Sequence, residues 1–253
     1  MKKTSKKIFL FTFILIAITP LYSQVKQSHS IVIGFLQLKE HFEIGLVFNG
    51  IELEYRYGLL WNVNNNEIQY QPKLGIGVGF NRGMTAIQIK IAPVNLTWTR
   101  PFYKNNGHTI KGGVNFVTDY SYQYYPSLHD AHLFWESEIG FSPVFNYNYQ
   151  WDSRQIGVNF KNSLFGFTSH TQGYDPTYYS TDNVNDIKNY FIKPHENMKF
   201  GSFNNYNHTN ISFEFVPNIE KIHSLLYEFD YFASYYGMRF DRINHNFIWR
   251  MSI

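Results

Sequence analysis

The sequence has no cysteine in its 253 residues. That rules out disulfides, thiolate metal centres and the lipidated cysteine of a lipoprotein. Charge is scarce too, at 16% of residues. Long apolar stretches are missing beyond the first twenty positions, where no run approaches the ~20 residues of a membrane-spanning helix. Mean hydropathy is negative, unlike that of a helical membrane protein. Neither sign of charge dominates. There are 22 Lys and Arg against 19 Asp and Glu, but four of the lysines (Lys2, Lys3, Lys6 and Lys7) fall in the first seven residues. Without them, 18 basic residues face 19 acidic ones. Such a balance gives no support to a nucleic-acid partner.

Those four lysines precede the apolar run "IFLFTFILIAIT", which Pro20 breaks and "LYSQ" ends. The run is about a dozen residues, too short for a spanning helix, and reads as a signal peptide. The sequence thus predicts a cleaved segment 1–23 and one mature domain, 24–253.

Aromatic residues are what the chain has in excess: 19% of it, with 20 Tyr and 24 Phe. They recur with period 2, the period of a strand rather than a helix. In "INHNFIWRMSI", Ile243, His245, Phe247, Trp249, Met251 and Ile253 share one face, while Asn244, Asn246, Arg250 and Ser252 share the other. In "IELEYRYGLLW", Ile51, Leu53, Tyr55, Tyr57, Leu59 and Trp61 oppose Glu52, Glu54 and Arg56. The same alternation runs through 67–80, 110–120, 133–146, 155–161, 210–215 and 224–231. Apolar-out, polar-in strands rich in Tyr, Trp and Phe are the pattern of a transmembrane β-barrel. A soluble barrel of lipocalin type would invert it, with apolar residues inside.

The phase breaks at Phe35-Leu36 and at Ala92-Pro93. Each is either a bulge or a tight turn. Two turns give roughly twelve strands and two bulges about ten, both even as such barrels require. Asn49-Gly50 reads as a two-residue hairpin turn. Short turns are also expected at Asn81, Lys104, Trp151 and Pro217, and long connections from Ser121 to Ala131 and from His170 to about Tyr206. The long ones follow odd-numbered strands and so leave the barrel on the same, outer side.

On this reading the polar faces line a narrow lumen. They carry Glu52, Glu54, Arg56, Glu136, Glu138, Glu214, Glu228, Asp230, Arg242 and Arg250. Buried charges of both signs must pair, so the residues form either a structural network that fills the barrel or the wall of a narrow pore. Arg242 and Arg250 are expected to neutralise Glu228, Asp230, Glu52 and Glu54. In a pore, the excess of acids would favour cations or small polar solutes. The second long loop offers Tyr174, Asp175, Tyr178, Tyr179 and Asp182 as a candidate ligand or partner surface, because aromatic faces supply area and polar groups fix orientation. Little else carries chemistry. His129, Asp130 and His132 lack a fourth ligand, so no metal and no cofactor is expected. His208, Thr209 and Asn210 are similar to the His/Ser/Asn set of outer-membrane phospholipases, but His208 falls on the lumen face and threonine is a poor nucleophile without a matched base.

The basic leader ending "YSQ", the missing cysteine, the Asn- and Tyr-rich turns and the terminal "NHNFIWRMSI" resemble outer-membrane β-barrel proteins of Bacteroidota-type, Gram-negative bacteria. The resemblance implies an all-β, antiparallel up-and-down barrel of 10–12 strands with two long extracellular loops, located in the outer membrane. Its partners would be outer-membrane lipid and other outer-membrane or surface proteins. The function expected first is a non-enzymatic accessory, structural or binding subunit of an outer-membrane assembly. A narrow pore and a lipid-modifying hydrolase are the alternatives.

Overall fold

The computed structural model describes residues 25–39, 46–126, 132–170, 195, 198–202, 204–219, 223–236 and 238–252. The leader 1–23, the residues His129 and Asp130, and the loop residues Tyr174, Asp175, Tyr178, Tyr179 and Asp182 lie outside them.

Ten antiparallel strands close on themselves. They are β1 (Lys26–Lys39), β2 (Val47–Val63), β3 (Asn66–Tyr70 and Lys73–Asn81), β4 (Met84–Asn105) and β5 (His108–Tyr125), followed by β6 (His132–Trp151), β7 (Arg154–Asn162 and Phe165–His170), β8 (Lys199–Ser202 and Tyr206–Val216), β9 (His223–Tyr236) and β10 (Met238–Ser252). Each strand pairs with its sequence neighbours, and β10 pairs back onto β1 from Ser28 opposite Ser252 to Leu38 opposite Arg242. Three strands are interrupted once without losing their place. The break in β3 at Gln71-Pro72 keeps a ladder bond, with the Gln71 amide donating to the Asn95 carbonyl at 2.8 Å.

The burial pattern is inverted relative to a soluble protein. Ile31, Ile33 and Phe35 stand exposed on the outside of β1, while Glu52, Glu54 and Arg56 of β2 are at most 3% exposed inside. Backbone groups are satisfied by the closed ladder, so such a wall can meet lipid without loss. Around the rim that carries the termini, His29 lies tilted against Tyr57, while His108 stacks on Tyr149, Tyr149 on Trp151 and His223 on Trp249. This is an aromatic girdle of the kind found at a membrane interface. His245, midway up the wall, shares a 2.7 Å hydrogen bond with Tyr227, so neither polar group faces outward unpaired.

Turn chemistry sorts the two rims. At the rim with the termini, Asn64-Asn65 and Asn106-Gly107 adopt positive φ at both central positions, the type I′ geometry that matches strand twist. Asp152 and residues 217–219 also lie at that rim, called here the turn end. At the opposite rim, the loop end, β1, β5 and β7 end and β2, β6 and β8 begin, and Arg82-Gly83 makes a tight turn.

The structure decides the two phase breaks differently. Ala92-Pro93 is a bulge: the β4–β5 register slips between Ile91 and Val94. Phe35-Leu36 is neither bulge nor turn. β1 runs through it in register with both neighbours, and Leu36 and Leu38 point inward. Asn49-Gly50 is not a turn either, because it lies inside β2 opposite Phe80 and Gly79. A Cβ at Gly50 would meet the Val78 carbonyl, so this glycine serves close strand approach. The long connections are shorter than expected from sequence. Ser121 to Tyr125 continue β5, and Phe165–His170 and Lys199–Ser202 extend β7 and β8.

Candidate functional site

The lumen changes character along its length. At the loop end Leu36, Leu38, Phe48, Tyr125, Tyr206 and Phe232 form a fully buried apolar cluster with Ala86 and Phe134. Seven different strands contribute to it, so it crosses the bore as a plug. Phe48 meets Tyr125 at 5.1 Å between ring centroids, and Tyr206 meets Phe232 edge-on at 6.0 Å.

Below the plug lies a belt of charges. The guanidinium of Arg56 holds Glu228 with two parallel hydrogen bonds, 2.9 and 2.6 Å, and also contacts Glu54. Such forked pairing is among the stronger polar contacts a protein makes. Lys90 reaches Glu52 at 2.9 Å, and Asn244 donates to the other oxygen of that carboxylate at 3.0 Å. Asn246 donates to Glu228 at 3.1 Å. Arg242 approaches Asp119 at 3.2 Å, Asp230 at 3.8 Å and Glu136 at 3.9 Å. One oxygen of Glu136 makes no hydrogen bond. His208 sits between two acids: Nδ1 lies 2.8 Å from Glu138 and Nε2 lies 2.9 Å from Asp230. Tyr206 donates to Glu138 from above and lies 3.0 Å from the Ser163 hydroxyl.

The turn-end third is roomier. A polar cavity of about 270 Å³ is walled by Lys26, Glu67, Lys111, Glu214 and Arg250 among others, and continues into a smaller one of about 80 Å³ beneath the belt. Two ion pairs flank it: Lys111 with Glu67 at 2.6 Å and Arg250 with Glu214 at 3.0 Å.

All ten charged residues singled out from the sequence have their side chains in the bore, eight of them in two groups of the belt and two in the turn-end cavity. Arg56, Glu54, Glu52 and Glu228 form one with Lys90, and Arg242, Glu136, Glu138 and Asp230 form another with His208 and Asp119. Arg250 and Glu214 stand apart in the turn-end cavity. Arg242 reaches Asp230 as expected and lies within electrostatic range of Glu52, but it does not pair with Glu54 or Glu228, and Arg250 pairs with Glu214. Lys90 and Arg56 neutralise Glu52, Glu54 and Glu228, because they sit opposite those acids at the same height of the bore. Lys73, Lys90, Lys161, Asp119 and His208 were not on the expected lumen network. Parity marks each of them as inward, for example Lys90 between the outward Ile89 and Ile91.

His208 and Thr209 face opposite sides of β8. The Thr209 hydroxyl donates to Asn207 at 2.8 Å and accepts from Asn162 at 2.6 Å, while both ring nitrogens of His208 are engaged by carboxylates. The pair forms no nucleophile with its base.

No family model and no curated protein matches the chain. Among solved structures, the outer-membrane protease OmpT from Escherichia coli is similar at 10% identity, with a TM-score of 0.55 over 92% of this chain and 97% of that one. The fold is that of an outer-membrane β-barrel. The translocator domain of the autotransporter NalP from Neisseria meningitidis is similar at 7% identity, with a TM-score of 0.50 over 98% of this chain and 96% of that one. One of these is a protease and the other a translocator domain, so at these identities the likeness is one of fold.

Proposed function

We propose that this chain is a non-enzymatic barrel of the bacterial outer membrane, of Bacteroidota type, acting as a structural or binding subunit of an outer-membrane assembly rather than as a conduit. The observation that carries the reading is the plug. Side chains from seven strands close the bore at the loop end, and the belt of paired charges fills it immediately below. The apolar outer wall and its aromatic girdle make lipid the first partner. The loop-end connections 126–131 and 171–198 face outward in this reading, and Tyr174, Asp175, Tyr178, Tyr179 and Asp182 supply contacts to a surface ligand or protein.

Two measurements test it. The folded barrel reconstituted in planar bilayers is expected to be electrically silent, and steady openings of one size would overturn the sealed-lumen part. Purified from its own membranes in mild detergent, it is expected to bring a stoichiometric partner. Recovery as a lone protein at every detergent strength would overturn the subunit part.

A further inference from the structure

The turn-end half of the lumen holds hydrogen-bond donors that the described residues leave wholly or largely unsatisfied. Lys73 has no ion pair or hydrogen bond among the described residues. Lys161 reaches only the hydroxyl of Thr97, at 3.4 Å. Gln71 is 8% exposed and its Nε2 has no partner. Arg250 commits one nitrogen to Glu214, and its Nε is unpartnered. All four residues line the same 80 Å³ cavity.

The acids in that wall are already spent. Glu228 is held by Arg56 and Asn246, and Asp230 by His208 and Asn210. Lys161 is desolvated by its surroundings and repelled by Lys73, Arg56 and Arg250, with Glu228 as an attracting group. Lys73 feels Glu54, Asp119 and Glu228 only through space, with no hydrogen bond to them. The uncommitted charge lining this cavity is thus positive. This reverses, at the turn end, the cation preference that the acid-rich sequence pattern implies, because Glu228 and Asp230 are engaged by Arg56, His208 and neighbouring amides.

Unpaired cations in a confined site are unfavourable unless something neutralises them. The orphan groups here are all donors, and an oxyanion is all acceptor. A cavity of 80 Å³ exceeds the ~30 Å³ share of one water and falls well below the ~300 Å³ of a drug-sized pocket. The larger cavity shares Gln69, Asn159, Lys161 and Arg250 with it and leads to the turn end, so the route in is aqueous. We propose that the turn-end lumen is a binding site for a small oxyanion of the phosphate class, held by Lys73, Lys161 and Gln71 with Arg250 at its mouth. It is a dead end beneath the plug, a receptor site rather than a passage, and it stands whether or not the barrel proves to be a subunit of an assembly.

Inorganic phosphate titrated calorimetrically into the whole folded barrel tests this, in phosphate-free detergent with chloride holding ionic strength constant. Wild type is expected to show saturable binding. Lys73→Gln or Lys161→Gln should each weaken it about tenfold or more, the worth of one charge-assisted hydrogen bond. Exposed Lys104→Gln should leave it unchanged. Gln71→Glu keeps the shape of the side chain and supplies an internal carboxylate. It is expected to abolish phosphate binding and to raise the temperature at which the folded band converts on gels. Absence of saturable binding by wild type would overturn the proposal. So would wild-type affinity in a folded Lys73→Gln/Lys161→Gln double variant, or Gln71→Glu that binds phosphate undiminished.

Discussion

The two ends of the lumen are built from the same ten strands under the same alternation, yet they are filled in opposite ways. At the loop end the bore is crossed by Leu, Phe and Tyr side chains, with the buried polar groups Gln88, Gln123, Thr168 and Ser234 among them. At the turn end the inward positions are Lys, Glu, Asn, Gln and Thr, and the bore is wet and open. The outer wall is apolar along its middle whichever filling lies behind it. Lipid constrains one face of every strand, whereas the interior is free to follow local need. A sealed end needs side-chain volume and few polar atoms, and a solvated end needs groups that tolerate water.

Removing the plug should make the ends alike, and this is the largest effect expected. Phe48→Ala with Phe232→Ala deletes two fully buried rings, each change costing about 3–5 kcal/mol. The urea midpoint should fall steeply, and channels should appear in a bilayer where wild type is silent. Retained silence with the fold intact would mean that the bore is blocked elsewhere.

The belt comes next. Arg56→Ala strands Glu54 and Glu228 in the interior, and breaking a buried pair in this way costs about 3–5 kcal/mol. Urea unfolding should show the loss, and adding Glu228→Gln should recover part of it. No recovery would mean that Arg56 acts by packing alone.

The ion pair in the turn-end cavity is more exposed, with side chains 20% and 24% accessible. Arg250→Ala should therefore cost about 1 kcal/mol or less, visible as a small downward shift in the temperature of band conversion. A loss as large as that of Arg56→Ala would erase the distinction between a dry belt and a wet cavity.

Thr209→Ala is the smallest. It removes hydrogen bonds to Asn207 and Asn162 on the side of β8 opposite the belt, worth about 1 kcal/mol in total. Calorimetric unfolding should barely change. A collapse of stability would place Thr209 inside the network after all.

How far the sequence could be read follows from the same contrast. The outer face was legible because lipid demands period 2 everywhere, so strand identity and barrel class came from the apolar side alone. The break at Phe35-Leu36 misleads because an abrupt shift of apolar phase reads as a bulge or a turn in the chain. It is a change of filling: Leu36 and Leu38 belong to the plug, and no local rule separates an inward leucine from a slipped strand. Asn49-Gly50 misled for the opposite reason, since a turn dipeptide is local information and the neighbouring strand overrode it. Of the network, inward direction was legible and partnership was not. Arg56 and Glu228 lie 172 positions apart, and what joins them is the stagger of strands around the closed sheet. The orphan donors Lys73, Lys161 and Gln71 were invisible for the same reason, because the lack of a partner shows only once every partner is placed.

The seam between β1 and β10 bears on how such a molecule comes to exist. Its eleven paired positions, Ser28 to Leu38 against Ser252 to Arg242, join the strands that are farthest apart along the polypeptide. Loop-closure entropy makes such a contact slow to form. Until it forms, the sheet has two raw edges and an apolar surface with no lipid to cover it, the state most prone to aggregate. The seam therefore acts as a clock. The interval before it zips is when the nascent barrel most needs a chaperone, and a substitution that slows pairing there would show itself in yield while leaving the finished barrel as stable as before.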